Sequence, residues 1–221
     1  MEFLIGTTNP YKIREFAALM SATGCELTPT EPIDPEETEP DFEGNALLKA
    51  RAYAAHAGGV TICEDSGLIV PALGGLPGAW SARFTEMEDV DVDAGTVGRH
   101  LDSGLPREEL DARNCRRVLE LMEGVEQPHR AAVLSAVLAV ALPDGEVLFK
   151  SAGETHGWIV DGTEPRGDNG FGYDSVFVGH DTFGKTYGEL DSMRKNMRSH
   201  RRRVMKEFKT WLGQYLKRER P

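Results

Sequence analysis

Apolar and polar positions along this chain alternate with two periods, which separates predicted strands from predicted helices. "FLIGTT", Phe3 to Thr8, runs from an apolar strand into a polar loop, and Pro10 suits the first turn of a helix on which Ile13, Phe16, Ala17 and Met20 share a face. The proline-rich acidic stretch Thr28 to Asp41 reads as a loop. Phe42, Ala46, Ala50, Tyr53, Ala54 and Ala57 then mark a second helix, stopped by Gly58 and Gly59. "VTIC" reads as a buried strand that ends at Glu64 and Asp65. Beyond a Gly/Pro loop, Arg107 to Met122 is helical in pattern, and "AAVLSAVLAVAL" and "EVLFKSAGETHGWIV" are strands joined by a Pro-Asp-Gly turn. Val204, Phe208, Trp211, Leu212, Tyr215 and Leu216 predict an amphipathic C-terminal helix docked on the body. The alternation predicts a mixed α/β architecture without repeats or linkers.

With 221 residues and 40% hydrophobic content the chain can bury a sizeable core, and its length favours one domain over residues 1–221. The longest apolar run, Ala131 to Leu142, falls short of the ~18 residues of a membrane span. The start of the chain lacks a signal-peptide pattern. Cys25, Cys63 and Cys115 have no metal-binding or redox spacing, so reduced thiols and a cytoplasmic location are expected. The formal charge of −11 argues against general attraction to nucleic acid. That charge is uneven: Glu26 to Glu43 holds eight acids and no base, whereas Arg194 to Arg220 holds eleven bases against two acids. A polyanion could therefore bind only where the bases gather.

Several short stretches carry candidate chemistry. "GHDTFGKT", Gly179 to Thr186, matches the P-loop pattern, but a P-loop joins an early strand to a helix and needs further strands behind it. It is rejected on that ground. In "TTNPYK" a strand opens onto a helix N-terminus, where free N–H groups, Thr7, Thr8, Asn9 and Lys12 suit phosphate oxygens. The plainer alternative is that Thr8 or Asn9 only caps the helix and Lys12 is solvated. Glu64 and Asp65, next to a buried strand, need cations or donors to offset desolvation and repulsion, and suit Mg²⁺ and an activated water. A turn cap by Asp65 is the competing reading. "GGLPGAWSAR" supplies Arg83 as a phosphate clamp or a surface residue. In "RGDNGFGYDSVF" glycines flank Phe171 and Tyr173, leaving an aromatic face for a base or, more plainly, for the core. Arg201, Arg202 and Arg203 would fall in the first turn of the last helix, where the dipole disfavours cations by roughly 0.3–1 kcal/mol each; an anion or a row of carbonyl acceptors would explain them, with a solvated basic face as the plainer alternative.

Taken in order, "TTNPYK", "FEGNALLKA", "CEDSGL", "GGLPGAWSAR", "GFGYD", "GKTYGEL" and "SHR" make the chain resemble, nearly end to end, the inosine triphosphate pyrophosphatases, or dITP/XTP pyrophosphatases. The resemblance implies an elongated α/β fold with a central mixed sheet and two lobes around a deep nucleotide cleft, usually as a homodimer. It implies Mg²⁺-dependent cleavage of non-standard purine triphosphates (ITP, dITP, XTP) to monophosphate and pyrophosphate. By the same resemblance Thr7 to Lys12 match the triphosphate loop, Asp65 the general base and a metal ligand, Ser66 a substrate contact and Glu36 the second metal carboxylate. Phe171, Gly172, Tyr173 and Asp174 match the nucleoside loop, and Lys195, His200 and Arg201 match base-reading donors. Lys49 and Arg83 would assist the phosphates. Two positions depart from the pattern: Ser175 stands where a proline is common, which would loosen its loop, and Gly44 where an acid is frequent, which would alter hydrogen bonding near the metal. No membrane or stable nucleic-acid partner is expected. The rival readings are a pyrophosphatase for modified pyrimidine triphosphates and a nucleic-acid-binding protein using the basic C-terminal helix.

Overall fold

In a computed structural model, which describes residues 2–20 and 25–218, six strands and five α-helices follow one another along the chain. The order is β1 (Glu2–Ile5), α1 (Pro10–Met20), β2 (Glu26–Pro29), α2 (Phe42–Ala57), β3 (Thr61–Ile69), α3 (Arg107–Leu121), β4 (Ala131–Ala141), β5 (Val147–Ile159), β6 (Phe177–Gly179), α4 (Ser192–Asn196) and α5 (His200–Arg218). The strands form a mixed sheet in the order β2-β1-β3-β4-β5-β6. In it β1 runs parallel to both β2 and β3, and β5 runs antiparallel to β6.

The chain divides into two compact units, the first made of Met1–Asp65, Ala136–Glu154 and Ser199–Pro221, the second of Ser66–Ser135 and Thr155–Arg198. Strands β3, β4 and β5 each pass from one unit to the other. Every unit has its own apolar core. Phe3, Ile5, Phe16, Ile62, Leu138, Val204, Phe208 and Leu212 fill the first, where burial of each large side chain stabilises by about 1.5–3 kcal/mol. Leu68, Leu73, Phe84, Val118, Met122, Phe177 and Tyr187 fill the second.

Helix α2 ends as the sequence predicts: Gly58 takes the left-handed conformation at φ 67°, and its N–H donates to Ala54 O. Its start is fixed by Asp41, whose carboxylate accepts the Gly44 N–H at 2.7 Å. Three expectations need correction. Thr28 and Pro29 belong to β2 instead of the loop, because β1 offers a parallel edge to pair with. Ala17 is exposed, and α1 instead buries Phe16 and Met20. Finally, Glu64 and Asp65 do not end their strand, since β3 runs through them to Ile69. The rejection of a P-loop at Gly179 to Thr186 holds, because the Phe177–Gly179 strand leads into turns and not a helix, with Phe183 almost fully exposed. Among the described residues no helix is long and apolar enough to cross a membrane.

In the second unit Glu86 fastens the irregular stretch that follows it. Its carboxylate accepts the Ser103 N–H at 2.8 Å and the Ser103 hydroxyl, and lies 3.2 Å from His100 Nε2. Burial pushes its pKa up, but the Ser103 bonds outweigh that and leave it below the usual carboxylate value. A lowered folded-state pKa contributes stability at neutral pH that is lost on acidification. Glu86→Gln should therefore lower Tm at pH 7 by roughly 2–8 °C, from about 1–2 kcal/mol of lost hydrogen bonding. Calorimetry across pH should find the gap closing in acid, as the wild-type carboxylate takes up its own proton.

Candidate active site

The turn from β1 into α1 is shaped by what surrounds it. A Cβ at Gly6 would sit 2.5 Å from Tyr53 Cγ and 2.6 Å from Cys63 Sγ, so only glycine lets the strand end lie this close to α2 and β3. Thr7 Oγ1 accepts the Asn9 N–H, and Asn9 Oδ1 accepts the N–H groups of Tyr11 at 2.9 Å and Lys12 at 3.3 Å. Asn9 thus caps α1, as the plainer reading had it. Its Nδ2 is buried with no hydrogen-bond partner among the described residues, a donor available to a ligand. Thr8 is exposed.

Along β3, consecutive side chains point to opposite faces, so Glu64 and Asp65 do not confront each other as the sequence suggested. Each meets its own cation. Lys12 Nζ lies 2.7 Å from Glu64 Oε2 and donates to the Glu64 carbonyl at 3.3 Å. Lys49 Nζ, on α2, donates to Asp65 Oδ1 and Glu37 Oε1, both at 2.6 Å. Asp65 Oδ2 is buried and has no hydrogen-bond partner among the described residues.

These contacts set the titration of the cluster. Burial pushes the Asp65 carboxyl up, and its pKa stays raised despite Lys49 and Lys12. Burial opposes the charged form of Glu64 too, but Arg201 and Lys12 outweigh it and hold that pKa down at about 2. Lys49 is raised, because Asp65 and Glu37 more than offset its desolvation, whereas desolvation lowers Lys12. Of the two neighbouring acids, Asp65 is the one made receptive to a proton.

The cations in the first turn of α5 now have an explanation. Arg201 is buried, with Nε donating to Glu64 Oε1 and Nη1 to Glu15 Oε2, both at 3.0 Å. The expected anions are two carboxylates of the same unit. Arg202 and Arg203 remain exposed. His200 is buried, and its charge contributes to the lowering of Glu64. A Cβ at Gly153 of β5 would come within 2.6 Å of the His200 carbonyl, so this glycine admits the helix start.

In the second unit, Asp174 Oδ2 accepts from Lys195 Nζ at 2.6 Å and from the Phe171 N–H at 2.8 Å. Lys195 Nζ stands 4.6 Å from the centre of the half-buried Phe171 ring, a cation–π distance. Tyr173 belongs to the core, and its hydroxyl donates to Ser81 O at 2.8 Å. The Gly172 N–H donates to Asp111 Oδ2, and the guanidinium of Arg83 lies over the Trp80 ring. Ser66 is half-buried on β3. Ser175 donates to the Cys115 thiol at 3.5 Å, a polar tie made at the position where a proline was expected.

Sequence reasoning missed three residues. Glu15 and Glu37 join the cluster, while Glu36, the acid singled out from the sequence, is exposed. Buried Asn45 pins the acidic loop, because its side-chain amide exchanges two hydrogen bonds with the Glu39 backbone at 3.1 Å each. The signal for Asn45 lay in "FEGNALLKA", directly after Gly44. A side chain at Gly44 would strike Glu39 Cβ at 2.5 Å, so the glycine fits the loop conformation found here.

Fold and cluster together define an α/β protein with a buried acid pair flanked by lysines at the end of a strand-loop-helix turn. The chain belongs to the Ham1 family, whose sequence profile matches residues 3–211. A dITP/XTP pyrophosphatase of Aquifex aeolicus is 40% identical over 209 residues, which is 94% of this chain and 95% of that protein. One from Bacillus licheniformis is 36% identical over 217 residues, covering 96% and 98%. Among solved structures, the Staphylococcus aureus Ham1 protein superposes with a TM-score of 0.74 at 29% identity, over 97% of this chain and 100% of that one. The nucleoside-triphosphatase / dITP/XTP pyrophosphatase of Mycobacterium abscessus gives 0.66 at 32% identity, over 94% and 98%.

Proposed function

We infer that this protein hydrolyses non-standard purine nucleoside triphosphates, such as ITP, dITP and XTP, to the monophosphate and pyrophosphate. The observation that carries this inference is Asp65: a buried, proton-receptive carboxylate with one oxygen on Lys49 and the other without a hydrogen-bond partner among the described residues. It stands in a chain whose relatives are named dITP/XTP pyrophosphatases.

In the reaction Asp65 orients a water and accepts its proton as the water oxygen bonds to the α-phosphorus. The bond from that phosphorus to the bridging oxygen breaks, and pyrophosphate leaves with the electron pair. Lys12 and Lys49 offset charge that builds on the phosphates, and Asn9 Nδ2, at the start of α1, donates to them, so positioning and electrostatics supply most of the acceleration.

Magnesium belongs to this proposal on charge grounds. Lys12, Lys49 and Arg201 are already engaged by Glu15, Glu37, Glu64 and Asp65, so their charge alone does not match that of a triphosphate. Mg²⁺ takes one or two carboxylates together with waters and phosphate oxygens, and Asp65 Oδ2 is a buried oxygen that fits that need. Asp65 with an acid of the Glu36–Glu37 pair would hold the ion, which supplies charge neutralisation and polarises phosphate oxygens when bound.

Base selection follows from donors. Lys195 and Arg201 only donate hydrogen bonds, as does a protonated His200; hypoxanthine and xanthine present a 6-oxo acceptor, where adenine presents an amine. A mismatched buried group costs about 1–3 kcal/mol, so two such contacts give roughly 30-fold to 10⁴-fold discrimination. Homodimeric assembly is supported by the family resemblance and is checked by sedimentation. A cytoplasmic location is supported by three cysteines that form no disulfide. Neither rival gains support, since the relatives that this chain matches along most of its length are named dITP/XTP pyrophosphatases.

The test is pyrophosphate release with Mg²⁺ from ITP, XTP, dITP, ATP, GTP and dTTP. ITP and XTP should exceed ATP and dTTP in kcat/KM by roughly a hundredfold or more. Equal turnover of ATP, or release of orthophosphate in place of pyrophosphate, would overturn the assignment.

A further inference from the structure

We propose that Glu64 is a positioning residue that couples the phosphate and base ends of the substrate, holding Lys12 with one carboxylate oxygen and Arg201 with the other. The proposal presupposes the pyrophosphatase activity above and adds a role for a residue that activity alone leaves unused.

The geometry is that of a shared counter-ion. The Glu64 side chain is 1% exposed; Oε2 lies 2.7 Å from Lys12 Nζ and Oε1 accepts the Arg201 Nε–H at 3.0 Å. Three elements distant in sequence, α1, β3 and α5, thereby meet on one carboxylate. Each cation has a second hold, Lys12 on the Glu64 carbonyl and Arg201 on Glu15 Oε2. The two cations are therefore placed by Glu64 without depending on it alone.

Consider what an arriving phosphate does. It draws Lys12 towards its own oxygens and weakens the hold of Lys12 on Glu64. A buried carboxylate that loses one of two cations leans harder on the other, because an uncompensated charge in a poorly solvated site is costly. Arg201 is then held more firmly, and a base that needs Arg201 in one orientation meets less disorder. The same free energy must act in reverse: a base that fixes Arg201 favours phosphate binding at Lys12. A purely architectural ion pair would stabilise the fold without linking the two ends, so the linkage is the property to measure.

The experiment uses the two products as separate probes, inosine monophosphate for the base end and inorganic pyrophosphate for the phosphate end, in calorimetric titrations with Mg²⁺ present. In the wild type, saturating pyrophosphate should tighten inosine monophosphate by about fivefold or more, within the usual range of coupling between sites. Glu64→Gln keeps size and an acceptor but loses the charge, and should bring that factor to about unity. Should Glu64→Gln fail to fold, Arg201→Gln serves: the coupling factor again falls to about one, and pyrophosphate alone binds about twofold or more weakly, because Glu64 then holds Lys12 as its one remaining cation of the two. Absence of coupling in the wild type, or its survival in either variant, overturns the proposal. The two claims fail separately, since wild-type protein that releases pyrophosphate from ITP without coupling leaves the function standing and removes only the role of Glu64.

Discussion

Replacing Asp65 with asparagine should lower pyrophosphate release from ITP by about 10²- to 10⁴-fold while nucleotide affinity changes by less than about tenfold. The expectation follows from the two oxygens of this side chain. Oδ1 bonds Lys49 at 2.6 Å, and an asparagine oxygen can keep that bond, so Lys49 stays in place with Glu37 as its second partner. Oδ2 is the buried atom without a hydrogen-bond partner among the described residues, and an amide there can neither accept a proton from water nor serve as a charged ligand to Mg²⁺. Size and position survive, and the proton acceptor does not. The loss should therefore fall on kcat, seen in single-turnover rates at saturating ITP, with the dissociation constant for inosine monophosphate as the binding control. Turnover within about tenfold of wild type would move the general base elsewhere.

Much of the frame was legible because local periodicity and burial agree. Helices α2, α3 and α5 and strands β4 and β5 carry long, regular patterns, and β4 and β5 are sheet neighbours joined by a short turn. What was missed depends on residues far away in the chain. Strand β2 is four residues containing an acid and a proline, and only the parallel edge of β1 makes it a strand. The interior place of Glu64 and Asp65 in β3 was hidden for the same reason: two adjacent acids look like a strand end until Lys12, Lys49 and Arg201 arrive to offset them. At the site, residue types were readable and register was not. "PEET" presents two neighbouring acids, and which one reaches Lys49 depends on a loop tied by Asn45 to the Glu39 backbone, so Glu37 turns inward and Glu36 stays in water. The aromatic pair of "GFGYD" divides likewise: Tyr173 finds Ser81 O in the core, and Phe171 lies beneath Lys195.

That lysine carries the second large effect. Lys195→Met should destabilise the protein by about 3–5 kcal/mol, a Tm loss of roughly 6–20 °C for a chain of this size. Lys195 and Asp174 have side chains only 4% and 6% exposed and meet at 2.6 Å. Asp174 also accepts the Phe171 N–H and packs so closely over Gly170 that a Cβ there would strike its Oδ2 at 2.1 Å, so turning the carboxylate to water breaks a bond of the 170–174 turn. Methionine fills the volume of the lysine stem and leaves the charge of Asp174 buried and uncompensated. The carboxyl can relieve this by taking a proton, which makes the folded variant bind more protons than its unfolded chain. Its stability deficit should accordingly shrink as pH falls from about 7.5 to 5. The double variant Lys195→Met/Asp174→Asn removes the stranded charge and should recover half or more of the loss, a non-additivity expected of groups in direct contact. A single variant that melts within about 2 °C of wild type at pH 7.5 would mean that water already reaches Asp174, and that the pair does not hold the aromatic turn.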